Sequence, residues 1–200
     1  MAKYTYDSIL AELKKGIYHP VYYLMGEEGY FIDKITDYIT ENALTEVERD
    51  FNLTVFYGLD TDIDTIITSA KRFPMMAERQ VIVVREAQML RNIDNLHFYL
   101  QNPQPTTVLL FAHKNGSLDK RKKVAQEIDR SAVLFESKKM RDDQLPSFIN
   151  GCMAEKGLVA DNKSVLMMRE SIGADLSRIA GEIDKLALAL PEGTKNVTPE

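Results

Sequence analysis

The sequence of 200 residues is poor in the residues that build disulfides and metal sites, with one cysteine, three histidines and no tryptophan. The single cysteine, Cys152, excludes an internal disulfide and is typical of a reducing intracellular compartment. An isolated cysteine is usually a small buried apolar side chain, so we do not interpret it as a nucleophile. His19, His97 and His113 contain no pair at metal-ligand spacing, and we expect no metal site.

Long apolar segments and an excess of positive charge are also absent. No apolar run approaches the roughly 18 residues that a membrane-spanning helix needs, and the polar residues 1–6 do not begin a signal peptide. The formal net charge of −5 and the pI near 5.4 disfavour a generally basic protein that coats nucleic acid, although they allow a local basic patch. We therefore expect a soluble, cytoplasmic protein with no membrane partner.

Strand and helix patterns alternate through the first two thirds of the chain. Five apolar runs bounded by turn residues predict buried strands, and they occupy residues 20–25, 52–57, 81–84, 107–112 and 132–136. The segments between them have helical apolar spacing, and one of these predicted helices covers residues 119–128. Strands that alternate with helices form parallel sheets with right-handed crossovers. The prediction is an α/β fold: a five-stranded parallel sheet with helices on both faces.

The strand pattern ends near residue 138, where we place a domain boundary. Apolar spacing from there on is helical and predicts three helices, which begin at Asp142, Asp161 and Asp175. We divide the chain into an α/β domain over residues 1–138 and a small all-helical domain over residues 139–200. Thr198 and Pro199 form the pattern of a capped helix start, so we expect the chain to be a fragment of a longer protein.

The turn after the first predicted strand has the position of a phosphate-binding loop without its chemistry. Such a loop needs glycine N–H groups around the phosphates, a lysine, and a serine or threonine for Mg²⁺. Here the turn is Gly26, Glu27, Glu28 and Gly29, and like charges at about 4 Å in a partly buried site cost on the order of a few kcal/mol. The third strand also lacks an acidic pair for metal and water. We expect no nucleotide or other cofactor, no catalytic residues and no ATPase activity.

Three large apolar residues, Phe73, Met75 and Met76, precede the third predicted strand. Pro74 lacks a backbone N–H and favours extended geometry in the residue before it, so the cluster lies at a helix end or on a loop. Most large apolar side chains are buried, which favours a core position. The flanking charges, and the suitability of methionine for adaptable contacts, favour a projection that binds a partner. The residues alone leave both alternatives open.

Four consecutive cations, Lys120, Arg121, Lys122 and Lys123, follow the fourth predicted strand. A solvated helix face is the simpler interpretation. The alternative is contact with DNA phosphates, which would be sensitive to salt and independent of base sequence.

Four segments of the chain, in the correct order, resemble one protein family. They are residues 20–32, 73–85, 118–123 and 173–186. Together they are similar to the delta subunit of the bacterial DNA polymerase III clamp loader, and the resemblance extends over essentially all of the chain. It implies an AAA+ (P-loop-like) fold with a degenerate nucleotide site, followed by a helical lid domain. We expect the family's third, helical collar domain to be absent from this chain.

The resemblance implies binding rather than chemistry. The delta subunit holds the ring-shaped sliding clamp, the beta subunit, and helps to open it for loading on primed DNA. Matched position by position, the clamp-binding residues are Met75 and Met76, with Phe73 on the same projection; leucine and phenylalanine are commoner there in the family. The implied partners are the clamp, the gamma/tau and delta prime subunits, and primed DNA within the loader. Within the holoenzyme, the family is grouped with DNA-directed DNA polymerases, which are nucleotidyltransferases.

Two other functions stay open at this point. The first is an active nucleotide-binding ATPase or a transferase of the doubly wound α/β class, with its site at the carboxyl ends of the strands. The second is a protein that primarily binds DNA through residues 120–123. Stabilisation by Mg-ATP would favour the first, and steeply salt-dependent DNA binding would favour the second.

Overall fold

The computed structural model describes residues 4–191 and 193–199. Among these residues the helices are α1 (Tyr6–Leu13), α2 (Gly29–Asn42), α3 (Glu46–Asn52), α4 (Ile63–Ala70), α5 (Leu96–Leu100), α6 (Lys123–Ser131), α7 (Leu145–Glu155), α8 (Asn162–Ile172) and α9 (Leu176–Ala189). The strands are β1 (Val21–Gly26), β2 (Leu53–Tyr57), β3 (Gln80–Arg85), β4 (Thr107–Lys114), β5 (Val133–Ser137), β6 (Val159–Ala160) and β7 (Asn196–Val197). The chain divides into two compact units between Lys139 and Met140. No helix of the described residues has the length and apolar character needed to cross a bilayer.

The first unit is built on a parallel sheet with the strand order β2-β3-β4-β1-β5. Tyr22 of β1 pairs with Leu110 of β4 on one side and with Val133 of β5 on the other. Strands β1, β3 and β4 each have two neighbours and are buried along nearly their whole length. This burial explains why their sequences are continuous apolar runs rather than alternating ones.

Two hydrophobic layers cover the sheet, one on each face, because successive side chains of a strand point to opposite sides. Tyr23 of β1 packs in the layer that α4, α5 and α6 complete. Its neighbour Tyr22 packs in the layer that α1 and α2 complete. The predicted five-stranded parallel sheet with helices on both faces is confirmed.

A helix that the sequence pattern did not predict, α3, directly precedes the edge strand β2. Helix α3 is short and begins with a capping box, in which Thr45 and Glu48 each satisfy a backbone N–H of the other. It ends at Asn52, which the prediction had placed in the second strand. Strand β2 then begins directly at Leu53, so α3 and the edge strand are joined without a loop.

The predicted helix over residues 119–128 is wrong at its start. Helix α6 begins only at Lys123, because Lys122 has an extended backbone with ψ of 141°. Before it, the Asp119 carboxylate accepts hydrogen bonds from the Arg121 backbone N–H and guanidinium. These local bonds satisfy Asp119 in a turn and compete with helix formation.

In its described residues, the second unit consists of α7, α8 and α9, one short strand pair and the segments that connect them. The predicted helix starts at Asp161 and Asp175 are confirmed, and both residues cap their helices: Asp161 accepts the N–H of Ser164 and Asp175 accepts the N–H of Arg178. Helix α7 begins later than predicted, at Leu145.

The prediction of an all-helical second unit is wrong at β6 and β7, which form a two-residue parallel ladder. The ladder satisfies backbone groups of the two connecting segments, and the Val159 N–H donates to the Lys195 carbonyl over 2.7 Å. Thr198 and Pro199, the predicted helix start, follow β7 and lie outside helix and strand.

Candidate functional site

The segment between α4 and β3, residues 71–79, is called the projection below. It carries three large apolar side chains that solvent reaches: Phe73 is 77% exposed, Met75 61% and Met76 101%. These fractions exclude the core position that the sequence had left open. A contiguous group of exposed apolar side chains often marks a surface that binds another protein.

The backbone of the projection has an uncommon conformation at its most exposed residue. Met76 has a φ of 52°, in the left-handed region. For a residue with a Cβ atom this region costs roughly 1–2 kcal/mol. Such a conformation persists only where the surrounding structure fixes it, and residues of this kind concentrate at binding sites.

One buried side chain holds the middle of the projection. The Met75 N–H donates to Asn52 Oδ1 over 2.6 Å, and Asn52 Nδ2 donates to the Met75 carbonyl over 2.9 Å. Asn52 is only 3% exposed. Its carboxamide therefore fixes both polar backbone groups of a residue that lies outside helix and strand.

A second side chain amide holds the beginning of the projection. Gln80 Nε2 donates to the Arg72 carbonyl over 2.7 Å and to Thr107 Oγ1 over 2.8 Å. Thr107 Oγ1 in turn donates to the Ala70 carbonyl. The last carbonyls of a helix have no partner within it, so these bonds tie the end of α4 to the first residues of β3 and β4.

Charged residues flank the apolar part of the projection on both sides in the sequence. Lys71, Arg72 and Glu78 are exposed, and the Arg79 guanidinium lies 4.6 Å from the centre of the Tyr18 ring. An apolar centre within a polar rim is the usual anatomy of a protein–protein contact surface.

Helix α3, whose last residue Asn52 bonds to the projection, was not predicted from the sequence. Val47 and Phe51 are 73% and 65% exposed and lie four residues apart, on one face of the helix. Asn52 follows directly. A usable signal was present, because the Thr45 to Glu48 spacing is that of a capping box, and it would have placed a helix before the second strand.

Two backbone N–H groups at the turn between β1 and α2 already have acceptors within the chain. Only Glu27 and Glu28 separate Gly26 from Gly29, the first residue of the helix. The Glu27 N–H donates to the Ser137 carbonyl over 3.0 Å, and the Glu28 carboxylate accepts the Tyr30 N–H over 3.1 Å. The helix terminus that would receive a phosphate is thus capped by a carboxylate of the chain itself.

The charges around this turn also disfavour an anion. The adjoining cleft, of about 250 Å³, is lined by Glu27, Glu136 and Lys138 among others. The Lys114 side chain lies beside Gly29, and its ammonium group is 2.6 Å from an Asp33 carboxylate oxygen. The degenerate phosphate loop at Gly26, Glu27, Glu28 and Gly29 stays a prediction.

Histidine and acidic residues form no metal cluster in the part of the chain that the structure describes. His113 at the end of β4 is buried, and its Nδ1 lies 3.0 Å from the Tyr23 hydroxyl. Burial lowers the pKa of His113 below its usual value of 6.5, so the imidazole is neutral at physiological pH. His113 is part of the core.

The four consecutive cations after β4, residues 120–123, are exposed, but each one lies beside a carboxylate. The pairs are Lys120 with Glu136, Arg121 with Asp119, Lys122 with Asp94 and Lys123 with Glu127, at 2.7 to 3.7 Å. Side chain hydrogen bonds from Arg121 lower the pKa of Asp119. The cluster is therefore locally neutralised and does not form an unbalanced basic patch.

The sheet and its covering helices define an AAA+-like fold. The RuvB protein of Thermotoga maritima matches 94% of this chain with a TM-score of 0.51 and 14% sequence identity, over 62% of its own length. At this level of identity the likeness shows the fold alone.

Two further comparisons identify the family. The family model described as DNA polymerase III, delta subunit, matches residues 22–138. The DNA polymerase III subunit delta of Bacillus subtilis (strain 168) is 31% identical over 188 residues, which cover 87% of this chain and 53% of the relative. The chain belongs to the DNA polymerase III delta subunit family.

A solved structure agrees with this assignment. The Bacillus subtilis DNA clamp loader delta protein (YqeN) matches 97% of this chain with a TM-score of 0.77 and 26% identity. The match covers 60% of that chain. The present chain thus spans a little over half the length of the relatives it matches.

Proposed function

We propose that this chain is the part of a clamp-loader delta subunit that grips the sliding clamp, and that the projection makes the contact. The observation that carries the proposal is the exposure of Phe73, Met75 and Met76 on a backbone that Asn52 holds in place. The family supplies the partner: its members work in the clamp loader, and the clamp, the beta subunit, is the protein that a loader must hold.

The contact is driven by burial of apolar surface. The three side chains enter an apolar pocket of the clamp, and full burial of a side chain of this size contributes about 1.5–3 kcal/mol. Aromatic side chains and methionine are enriched in such contacts. Two adjacent methionines, where leucine and phenylalanine are commoner, adapt their flexible side chains to the pocket.

Opening of the ring follows from differential affinity. A ligand shifts an equilibrium only by binding one state better than the other. The projection therefore binds more tightly beside an opened clamp interface than beside a closed one. The turn at Glu27 and Glu28 does not supply ATP chemistry, so ATP hydrolysis by the gamma/tau subunits controls when the projection reaches the clamp. The delta prime subunit completes the loader.

Contact with primed DNA is a secondary part of the proposal. Lys120, Arg121, Lys122 and Lys123 lie in solvent, where DNA phosphates can replace their carboxylate partners. Since every one of these cations already has such a partner, we expect a weak contact that high salt removes.

A binding titration with the clamp tests the main proposal. Replacing Met75 and Met76 together by alanine should weaken binding by roughly 2 kcal/mol or more, which is about thirtyfold in Kd. Met167→Ala is a matched control, because Met167 is 45% exposed on α8 and lies outside the projection. A double variant that binds the clamp as tightly as the parent protein contradicts the proposal.

A further inference from the structure

We propose that Asn52 is a positioning residue for clamp binding, which acts by holding the backbone of Met75 so that the Met75 and Met76 side chains are presented in their binding geometry. This inference rests on the proposed function of the projection. Asn52 itself is buried and does not touch the clamp; it acts through the residues that do.

The hydrogen-bonding capacity of Asn52 is matched to this role. Oδ1 accepts the Met75 N–H at 2.6 Å, and Nδ2 donates to the Met75 carbonyl at 2.9 Å and to the Glu48 carbonyl at 3.0 Å. The acceptor and both hydrogens of the amide group are therefore engaged. The side chain supplies Met75 with the two backbone bonds that a neighbouring strand would give it within a sheet.

The position of Asn52 makes it a rigid support. It is the last residue of α3, whose first turn is fixed by the capping box of Thr45 and Glu48, and β2 begins at the next residue. The bonds to Met75 thus connect the projection to an ordered helix and to the edge of the sheet. They bridge 23 positions in sequence, so they add a constraint that local chain geometry cannot provide.

The conformation of Met76 depends on this constraint. Its left-handed backbone, with φ of 52°, follows immediately after the peptide group that Asn52 holds. Without the two bonds, the projection is free to leave this costly conformation, and binding then has to restore it. Preorganisation removes such costs from the binding step.

Replacing Asn52 should lower the affinity for the clamp even though the contact residues Phe73, Met75 and Met76 are unchanged. Fixing the backbone of one residue corresponds to roughly a tenfold factor in Kd, so we expect Asn52→Ala to weaken clamp binding about tenfold. Asn52→Asp keeps the size of the side chain, but it places a carboxylate oxygen against the carbonyls of Glu48 and Met75. We expect a similar loss for this variant.

A double-mutant cycle separates positioning from a general loss of structure. Clamp affinity is measured for Asn52→Ala in the parent protein and in the Met75→Ala/Met76→Ala background, where Phe73 retains residual binding. Positioning predicts about a tenfold loss in the parent and no further loss in the background. An equal loss in both backgrounds, or no loss in either, overturns the inference.

The controls make the outcomes distinguishable. Asn42→Ala removes another asparagine that ends a helix, since Asn42 ends α2 and its Nδ2 donates over 2.9 Å to the Tyr38 carbonyl rather than to the projection. This variant should bind the clamp normally, and a tenfold loss there would contradict a specific role for Asn52. If Asn52→Ala does not fold, Asn52→Asp replaces it in the same cycle. Full affinity of Met75→Ala/Met76→Ala would instead refute the proposed function itself.

Discussion

Met76 combines full solvent exposure with a left-handed backbone. A bulky apolar residue has no intrinsic preference for either condition. Both are tolerated because Asn52 and Gln80 hold the segment that leads to Met76, at Met75 and Arg72. The left-handed backbone and the exposed side chain of Met76 lower the stability of the folded state, which is consistent with a role in binding.

Substitutions at Met76 should separate the strain of its backbone from the contribution of its side chain to clamp binding. Glycine has no Cβ and relieves the left-handed conformation, whereas alanine does not. After allowance for the entropy that glycine loses on folding, Met76→Gly should be more stable than Met76→Ala by about 0.5–1 kcal/mol, measured by urea unfolding. Both variants should bind the clamp more weakly than the parent protein. If the glycine variant is the less stable of the two, the backbone of Met76 is not strained.

At this scale the sequence predicts local chemistry well and exposure poorly. The helix starts at Asp161 and Asp175 were predictable because an aspartate at this position caps the helix by accepting the N–H three residues later. The prediction from Pro74 that its neighbours lie at a helix end or on a loop is confirmed. Whether Phe73 faces solvent could not be predicted, since an irregular segment has no apolar period that defines an inner and an outer face.

Among the elements, the short ones were hardest to predict. Helix α3 is only seven residues long, and its apolar Val47 and Phe51 face outward, so the usual periodicity is inverted. The start of α6 was misplaced because the Asp119 carboxylate bonds to Arg121 and holds a turn. Asn52 could not be identified as a contact of Met75, because the pairing joins distant parts of the chain.

Helix α4, which leads into the projection, gives a pH-dependent prediction. Backbone and side chain hydrogen bonds from Thr65 lower the pKa of Asp62 below its ordinary value of 3.8. A carboxyl group whose pKa is lowered by folding stabilises the protein above its unfolded pKa, and this contribution is lost as the pH falls through the folded pKa. The excess stability of the parent over Asp62→Asn, measured by urea unfolding, should therefore shrink from about pH 5 downward.

The matched control is Asp62→Ala. It lacks an acceptor for the Thr65 N–H, so it should be less stable than Asp62→Asn at every pH. An excess stability of the parent that stays constant, or grows, as the pH falls would show that the charge of Asp62 does not contribute to the cap.

For the whole molecule, the sheet was predictable because its strands are buried on both faces and appear as uninterrupted apolar runs. Val81 to Val84 is an example, since all four residues are buried in β3. The β6–β7 ladder was not predictable, because it pairs two-residue segments that lie far apart in sequence. Local patterns carry no information about such a pairing.

The capped and acidic turn after β1 gives a prediction for the whole fold. A ligand that binds only the folded state raises the melting temperature. We expect saturating Mg-ATP to leave the melting temperature unchanged, because Glu28 caps the helix terminus and Lys114 is paired with Asp33. A clear rise with Mg-ATP, absent with Mg²⁺ alone, would demonstrate a working nucleotide site.

Methionine oxidation by hydrogen peroxide, with and without the sliding clamp, tests the central claim most directly. Four methionines serve as probes in the unmodified protein: Met75 and Met76 on the projection, and Met89 and Met167 elsewhere, which are 49% and 45% exposed. Saturating clamp should strongly slow oxidation of Met75 and Met76 and leave Met89 and Met167 unchanged. Unchanged oxidation of all four, or protection confined to Met89 or Met167, would contradict the assignment of the projection as the clamp-binding site.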